Sequence, residues 1–322
     1  MKVLITGSAG YIGSILINRF LQDERITEII GIDLKKKPKQ IPDNPKLSWL
    51  KFDLVKDSWQ KIVLENGAPD IVIHCAFKIR SAFGKIKATE RKNLEICRKV
   101  FQFCFENNIK KLIYLSSVAA YGARKENIGA LLKEGDALQE TISPYGNQKR
   151  LTENELNRLM KECVPESEVC ILRLNSVTGP IGQSLSSKFG LITMLTKVFP
   201  FVMELNSEWA RQFVHENDVV GAIEFFTFRN PEQASFKIFN VASKTFLKTS
   251  QIAEVLNKRT VKLPVGLVKF GLALLWPFSF GKLIPPSAVS GLIYPINVDI
   301  SKIENAGFSF SHSPKEALLG KD

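Results

Sequence analysis

The sequence predicts an α/β protein, a doubly wound parallel sheet followed by a smaller C-terminal domain. Three observations predict it. Apolar runs of strand length alternate with helical stretches through the first third of the chain, which is the pattern of a parallel sheet covered on both faces. The first run, 1–6, opens directly onto three glycines spaced three apart, Gly7, Gly10 and Gly13, and then onto an amphipathic helix. The second run, 27–33, ends in a carboxylate, Asp33, twenty positions after Gly13.

The glycine turn has a physical job. A glycine at a sharp bend takes positive φ, one without Cβ lets backbone approach a pyrophosphate, and one lets helix and strand come close. The helix start then offers unpaired N–H donors to the anion. A bare tight turn would also explain three glycines, so the confirming feature is the acid about 20 residues on. Asp33 supplies it, and the pair reads as a dinucleotide site.

Composition narrows the class. A chain of 322 residues with 45% hydrophobic and 24% charged residues can bury a large core and is not disordered. Its five cysteines, Cys75, Cys97, Cys104, Cys163 and Cys170, contain no C-x-x-C and read as reduced core residues. The histidines His74, His215 and His312 lie too far apart in sequence to point to a metal, and none is expected. A start inside a core strand leaves no room for a signal peptide, so the expected location is cytoplasmic. The formal net charge is +12, but the lysines are dispersed with runs only at 35–37 and 110–111. A solvated surface that attracts anionic ligands is favoured over nucleic-acid binding.

Along the chain, Asp33 is placed to hold a ribose 2′-OH and repel a 2′-phosphate, which favours NAD. The basic loop 35–39 could hold that phosphate instead, so NADP is the weaker alternative. A short third strand over 50–54 ends near Asp53, which could accept from an adenine amino group or cap a helix over 55–66. The run 69–76 reads as a strand buried on both faces, and 85–107 as a helix. Strand 111–115 then runs into Ser116 and Ser117 at the sheet's carboxyl edge, where ligands bind in such folds. After an irregular stretch, 122–143, a helix over 144–163 carries Tyr145 and Lys149 four residues apart on one face. A lysine beside a phenol lowers its pKa and makes it a usable acid/base. The bland alternative is an ordinary surface pair.

These features stand in one order: three glycines, Asp33, Asp53, a strand ending Ser116-Ser117 and Tyr-x-x-x-Lys. The chain therefore resembles the extended short-chain dehydrogenase/reductase family, in the branch of sugar-nucleotide epimerases and dehydratases. The stretches 171–180, 211–219, 239–242 and 307–318 resemble the family's later segments. The resemblance implies a Rossmann-type cofactor domain over 1–175 with contributions from about 212–245. A substrate-binding domain from 176–211 and 246–322 would complete the chain. It implies that Tyr11 and Ile12 meet the pyrophosphate by their backbone, that Asp33 and Leu34 hold the ribose, and that Asp53 and Leu54 flank adenine. Cys75, Ala76 and Phe77 would line the nicotinamide ribose side, with Asn93 behind and Asn175 near the nicotinamide. Ser117 would bond the reacting oxygen, Tyr145 act as acid/base, and Lys149 hold the ribose and tune Tyr145. Ser176 and Arg211 would face the substrate, Arg211 gripping a nucleotide phosphate or, alternatively, closing an ion pair at a hairpin edge.

Departures from the family pattern refine the activity. Dehydratases of the family carry Asp-Glu after the catalytic hydroxyl, whereas Val118 and Ala119 stand here, so dehydration is disfavoured. The expected activity is NAD-dependent epimerisation of a nucleotide-sugar. The alternatives are a one-way NAD(P)-dependent dehydrogenase or reductase of a sugar or lipophilic, steroid-like alcohol, and a non-catalytic dinucleotide sensor. The apolar segment 263–280 is broken by Pro264, Lys269 and Pro277. It reads as a helix covering the cleft, or as an interfacial helix making peripheral membrane contact. The family's habit of pairing through two long helices implies a homodimer through about 85–107 and 144–163.

Overall fold

The computed structural model describes residues 1–65, 67–185, 194–280 and 282–321. Six strands are met in chain order: β1 (Lys2–Thr6), β2 (Glu28–Asp33), β3 (Leu47–Lys51), β4 (Ile71–His74), β5 (Lys111–Ser117) and β6 (Glu168–Leu174). With the strand Phe236–Val241 they form one sheet in the order β3-β2-β1-β4-β5-β6 and then 236–241. Every pairing in it is parallel. All residues of β4, β5 and β6 are buried, as expected of strands covered on both faces.

The cover is asymmetric in identity but not in kind. On one face α1 (Tyr11–Leu21) and the helix Glu216–Phe228 contribute Leu16, Phe20, Val220 and Ile223 to a core with Val3, Ile73 and Ile113. On the other, α2 (Trp59–Glu65), α3 (Ile86–Glu106) and α4 (Pro144–Cys163) bury Trp59, Phe101, Val100 and Leu156 against Leu4, Val72 and Leu112. Alternate residues of one strand thus feed opposite cores, which is the period-2 rule of the pleat. A third cluster, with Trp209, Phe213, Ile252 and Leu318, builds a separate core around the late short strands.

Some sequence expectations need correction. The third strand is Leu47–Lys51, so Asp53 lies beyond its end, and the helix that follows starts only at Trp59. Asn66, the expected end of that helix, lies outside the described residues. Lys111 is not a solvated surface lysine: it is buried, and its ammonium caps the C-terminal end of the helix Glu216–Phe228 by donating to the Phe226 and Arg229 carbonyls at 2.6 and 2.7 Å. Cys163, at the end of α4, is exposed. The apolar run 263–280 is an α-helix over Val265–Leu275 followed by a 3-10 turn over Trp276–Ser279; no residue of the α-helix is fully buried, and only Val265, Val268 and Leu272 among its large side chains are half-buried.

Candidate active site

The sheet order reverses beside β1, whose neighbours are β2 and β4. The loops after β1 and β4 leave in opposite directions and open a crevice at the strands' carboxyl ends. Gly7 turns the chain there with φ of +71°, and a Cβ on it would stand 2.6 Å from the Ala76 nitrogen. Only glycine lets the two loops lie so close. Gly10 caps α1 with no side-chain acceptor and the first turn holds no acid, so the N–H groups of Tyr11, Ile12 and Gly13 face outward unneutralised. That arrangement fits a diphosphate.

Asp33 turns both oxygens inward, accepting from the Ala9 N–H at 3.0 Å and the Lys35 N–H at 2.9 Å. It thereby ties the glycine turn to the start of the basic loop, while Leu34 beside it is exposed. Asp53 accepts from the Val55 N–H at 3.0 Å and from Lys92 of α3 at 2.8 Å. Its carboxylate is a turn and ion-pair group in this arrangement, and the next residue, Leu54, is buried in the core.

Ser117, Tyr145 and Lys149 meet at the ends of β5 and α4. Pro144 opens α4 at its first turn, where the missing N–H costs nothing. Gly146 then lets the helix touch the short 3-10 turn Val118–Tyr121, since a Cβ there would strike the Ala119 carbonyl. This close approach brings Tyr145 to Ser117. Burial pushes the Tyr145 phenol up in pKa, and the hydrogen bond with Ser117 pulls it part of the way back. Ser117 Oγ also lies 3.2 Å from the Leu174 carbonyl.

Lys149 is 3% exposed. Its ammonium donates to the Leu115 carbonyl at 2.6 Å, lies 3.4 Å from the Tyr114 hydroxyl, and sits 3.8 Å above the Phe77 ring. Burial lowers its pKa to about 8. The expectation that Lys149 depresses the Tyr145 phenol does not describe this arrangement: desolvation dominates at Tyr145, and the ammonium is turned to Leu115. Phe77 links the two instead, meeting Tyr145 edge-on at 5.9 Å between ring centroids. Cys75 and Ala76 precede it on the same loop. Burial pushes the Cys75 thiol up to about 12, so it is inert as a nucleophile. Asn93 is buried and grips the loop, bonding both the N–H and carbonyl of Lys78 and the Gln148 side chain.

Across the crevice, Asn175 holds the end of β6 to Gln212 and to the Ile296 carbonyl. Ser176 Oγ accepts from Arg211 at 3.0 Å, and Arg211 also donates to the Gly291 carbonyl at 2.9 Å and lies over the Trp209 ring. Burial lowers the Arg211 pKa to about 10. Among the described residues no carboxylate pairs with it, so the ion-pair alternative does not hold.

With this geometry in place, comparison with known proteins is decisive about ancestry. The sequence profile of the NAD dependent epimerase/dehydratase family matches residues 3–242. The chain belongs to that family. A dTDP-4-dehydro-6-deoxyglucose reductase of Escherichia coli is 29% identical over 278 residues, 80% of this chain and 83% of the reductase. An ADP-L-glycero-D-manno-heptose-6-epimerase of Brachyspira hyodysenteriae is 24% identical, covering 84% and 85% of the two chains. Among solved structures, a UDP-glucuronic acid 4-epimerase of Bacillus cereus in complex with UDP-glucuronic acid and NAD superposes with a TM-score of 0.74 at 19% identity, over 100% of this chain and 98% of the other. The last comparison concerns the fold.

Within this member of the epimerase/dehydratase family, several residues that build the site escaped sequence reasoning. Glu153, one turn beyond Lys149, is fully buried and pairs with Arg173 of β6 at 2.7 Å while accepting from Ser116. Gln148 holds Asn93. Glu140 receives the Ile142 and Ser143 N–H groups at the entry to α4. A signal existed for Glu153: an acid at Lys149 plus four, on the helix face that must turn inward if Tyr145 and Lys149 do.

Proposed function

We propose that the chain is an NAD-dependent epimerase of a nucleotide-sugar, working through Ser117, Tyr145 and Lys149. The observation that carries this reading is the meeting of the Ser117 hydroxyl and the Tyr145 phenol at the crevice, one helical turn from a buried lysine. The division of labour we assign is cofactor binding by 1–175 with 212–245, and substrate closure by 176–211 and 246–322.

The residues present fit the cofactor. The uncapped first turn of α1 would hold the pyrophosphate, Asp33 the adenosine ribose, and Asn93 through the 75–78 loop the nicotinamide side. Asp33 favours NAD over NADP. Bound NAD supplies a hydride acceptor and donor at its nicotinamide ring. Tyr145 would act as the acid/base, taking the proton of the sugar hydroxyl when that carbinol is oxidised and returning it to the carbonyl oxygen when the ketone is reduced. Ser117 donates to the same oxygen and steadies its changing charge. Lys149, with a pKa of about 8, still carries its proton at neutral pH and would hold the nicotinamide ribose hydroxyls, while the Ser117 hydrogen bond is what pulls the Tyr145 phenol back down in pKa. Arg211, half-buried and without a counter-charge among the described residues, fits the substrate's diphosphate. Val118 and Ala119 offer no acid or base for expelling water.

The second reading is a one-way reductase, favoured by the 29% identity to the Escherichia coli reductase. The two differ in what stays bound, since an epimerase recycles its cofactor in place. The test assays UDP-, ADP- and dTDP-sugars with the wild type and with Tyr145→Phe. The expected outcome is epimer formation without net NADH, a loss of roughly thousandfold in kcat for the variant, and NAD affinity by calorimetry within a few-fold. Unchanged turnover in Tyr145→Phe would sink the mechanism. Stoichiometric NADH consumption would make the enzyme a reductase, and tighter binding of NADP would hand the ribose site to the lysine loop.

A further inference from the structure

The segment after the last short strand pair behaves unlike the rest of the chain. Helix Val265–Leu275 fully buries no side chain and half-buries only Val265, Val268 and Leu272 of its large ones, although every residue in it except Gly266, Lys269 and Gly271 is a hydrophobic one. Leu267, Phe270 and Leu274, spaced three and four apart, share one side of it, with Phe270 69% exposed. Phe278 and Phe280 continue the surface just beyond, at 76% and 85%. The segment is anchored through Trp276, which is buried and meets Phe83 edge-on at 5.3 Å, and through Arg80, which donates to the Lys282 carbonyl. The anchoring loop exposes Ile79 and Phe83 as well. Two separate stretches of chain therefore present one apolar patch of a kind that soluble surfaces leave bare only where something covers it.

Charge identifies the cover. Residues 255–298 contain no Asp or Glu, and neither do 71–89. Exposed Arg259, Lys262, Lys269 and Lys282 stand in the first stretch, and Lys78, Lys85 and Lys87 in the second. Lys262 lies 3.7 Å from Glu204 and Lys87 3.5 Å from Glu90, both acids outside the two stretches. A second copy docking face to face would set this positive rim against itself. An anionic bilayer surface complements it, taking the aromatic and leucine side chains into the headgroup boundary while the lysines meet lipid phosphates. The helix is 11 residues long, about 16 Å at 1.5 Å per residue, and no helix among the described residues is long and apolar enough to cross a membrane. It suits lying in the interface.

We infer that Val265–Phe280, together with the 75–85 loop, is a docking surface for an anionic membrane. The same loop carries Phe77 at the active site, so docking sets the mouth of the crevice beside the bilayer. This inference does not depend on which sugar is turned over, or on whether the enzyme is an epimerase.

Flotation of the full chain with vesicles tests it, comparing phosphatidylcholine alone with phosphatidylcholine containing about one-third phosphatidylglycerol. The wild type is expected to float with the anionic vesicles, to stay behind with the neutral ones, and to detach as salt rises. The variant Leu267→Ser/Phe270→Ser/Leu274→Ser, altered only at exposed positions, should lose at least tenfold in binding while its far-UV spectrum and cofactor affinity stay unchanged. The charge variant Lys269→Glu/Lys282→Glu should lose binding similarly. Failure of the wild type to float overturns the proposal, as does equal flotation of the wild type and the serine variant. A dimer in sedimentation equilibrium that the serine variant breaks would assign the patch to a second copy and overturn it too.

Discussion

Two arginines of this enzyme, one in the central sheet and one in a separate two-stranded pair, stand in opposite electrical settings. Arg173, in β6, is held by both oxygens of Glu153 and donates also to the Tyr121 hydroxyl and the Glu134 carbonyl. Burial alone would lower its pKa, yet Glu153 more than reverses that and the pKa rises above its ordinary value. Arg211, beyond the crevice, has a hydroxyl, a carbonyl and an indole face around it, and burial acts on it unopposed. A charge matched inside the protein holds structure together. One left unmatched at the wall of a cleft keeps its attraction for a ligand. On that difference we place Arg173 in the scaffold that positions α4 and propose Arg211 for recognition.

Breaking the matched pair should have the largest effect. Arg173→Leu strands Glu153, which is fully buried, and is expected to cost roughly 3–5 kcal/mol of stability. Urea unfolding measures it. Replacing both partners, Arg173→Leu with Glu153→Leu, should recover much of the loss, because an apolar pair of similar volume carries no stranded charge. A double variant as unstable as the single one would mean that the Tyr121 and Ser116 bonds, rather than charge matching, are what the pair provides.

Lys149 lies between the two cases. It has the Leu115 carbonyl and the Phe77 face, while burial sets its pKa at about 8 against an ordinary 10.5. Between those values the unfolded chain binds a proton that the folded one does not, so stability should rise with pH across that window. Below about pH 8 both states carry the proton and the burial cost is fully present, on the order of 3 kcal/mol. Lys149→Met should therefore stabilise the cofactor-free protein at neutral pH by roughly 1–3 kcal/mol, the lost bond to Leu115 offsetting part of the gain. It should also flatten the rise toward about pH 10 while abolishing turnover. Urea midpoints at the two pH values decide it, and a variant less stable at neutral pH would show that the ammonium is well solvated in solution.

The contrast between these cations also marks what the sequence could tell. The glycine turn, Asp33, Ser117 and the Tyr145–Lys149 spacing were legible because each is a local pattern tied to a period of strand or helix. What could not be read depends on partners far along the chain. Asp53 reads as an adenine acceptor or a helix cap, and its ion pair with Lys92, 39 residues away, shows only in the folded chain. Lys111 reads as one of a surface pair until the end of the helix Glu216–Phe228 closes over it. His215 and His312, remote in sequence, stack with ring centroids 3.9 Å apart beside Asp218. The apolar run at 263–280 reads as a helix over the cleft or at a membrane interface, and hydropathy alone does not choose, because it reports what a residue prefers and not what lies opposite it. Whether an arginine is matched is a fact of the same long-range kind, and neither Arg173 nor Arg211 announces it locally.

Arg211 should therefore give the smallest effect on stability and a selective effect on binding. Arg211→Leu removes an uncompensated cation, which favours folding, and deprives Ser176 and the Gly291 carbonyl of a donor, which opposes it. These oppose at about 1 kcal/mol each, and the expected net change is within about 1 kcal/mol of zero. Binding should respond differently. A hydrogen bond from a charged group to phosphate contributes roughly 1.5–3 kcal/mol, so affinity for UDP as a probe should fall by about ten- to a hundredfold. Affinity for NAD should hold, since α1 and Asp33 lie across the crevice. Calorimetric titration of the variant with each ligand separates the outcomes. If UDP binds unchanged, Arg211 is scaffold like Arg173 despite lacking an acid. If NAD weakens equally, the variant has disturbed the crevice as a whole. Only a loss confined to UDP leaves the difference between the two arginines as one between holding the fold and holding the substrate.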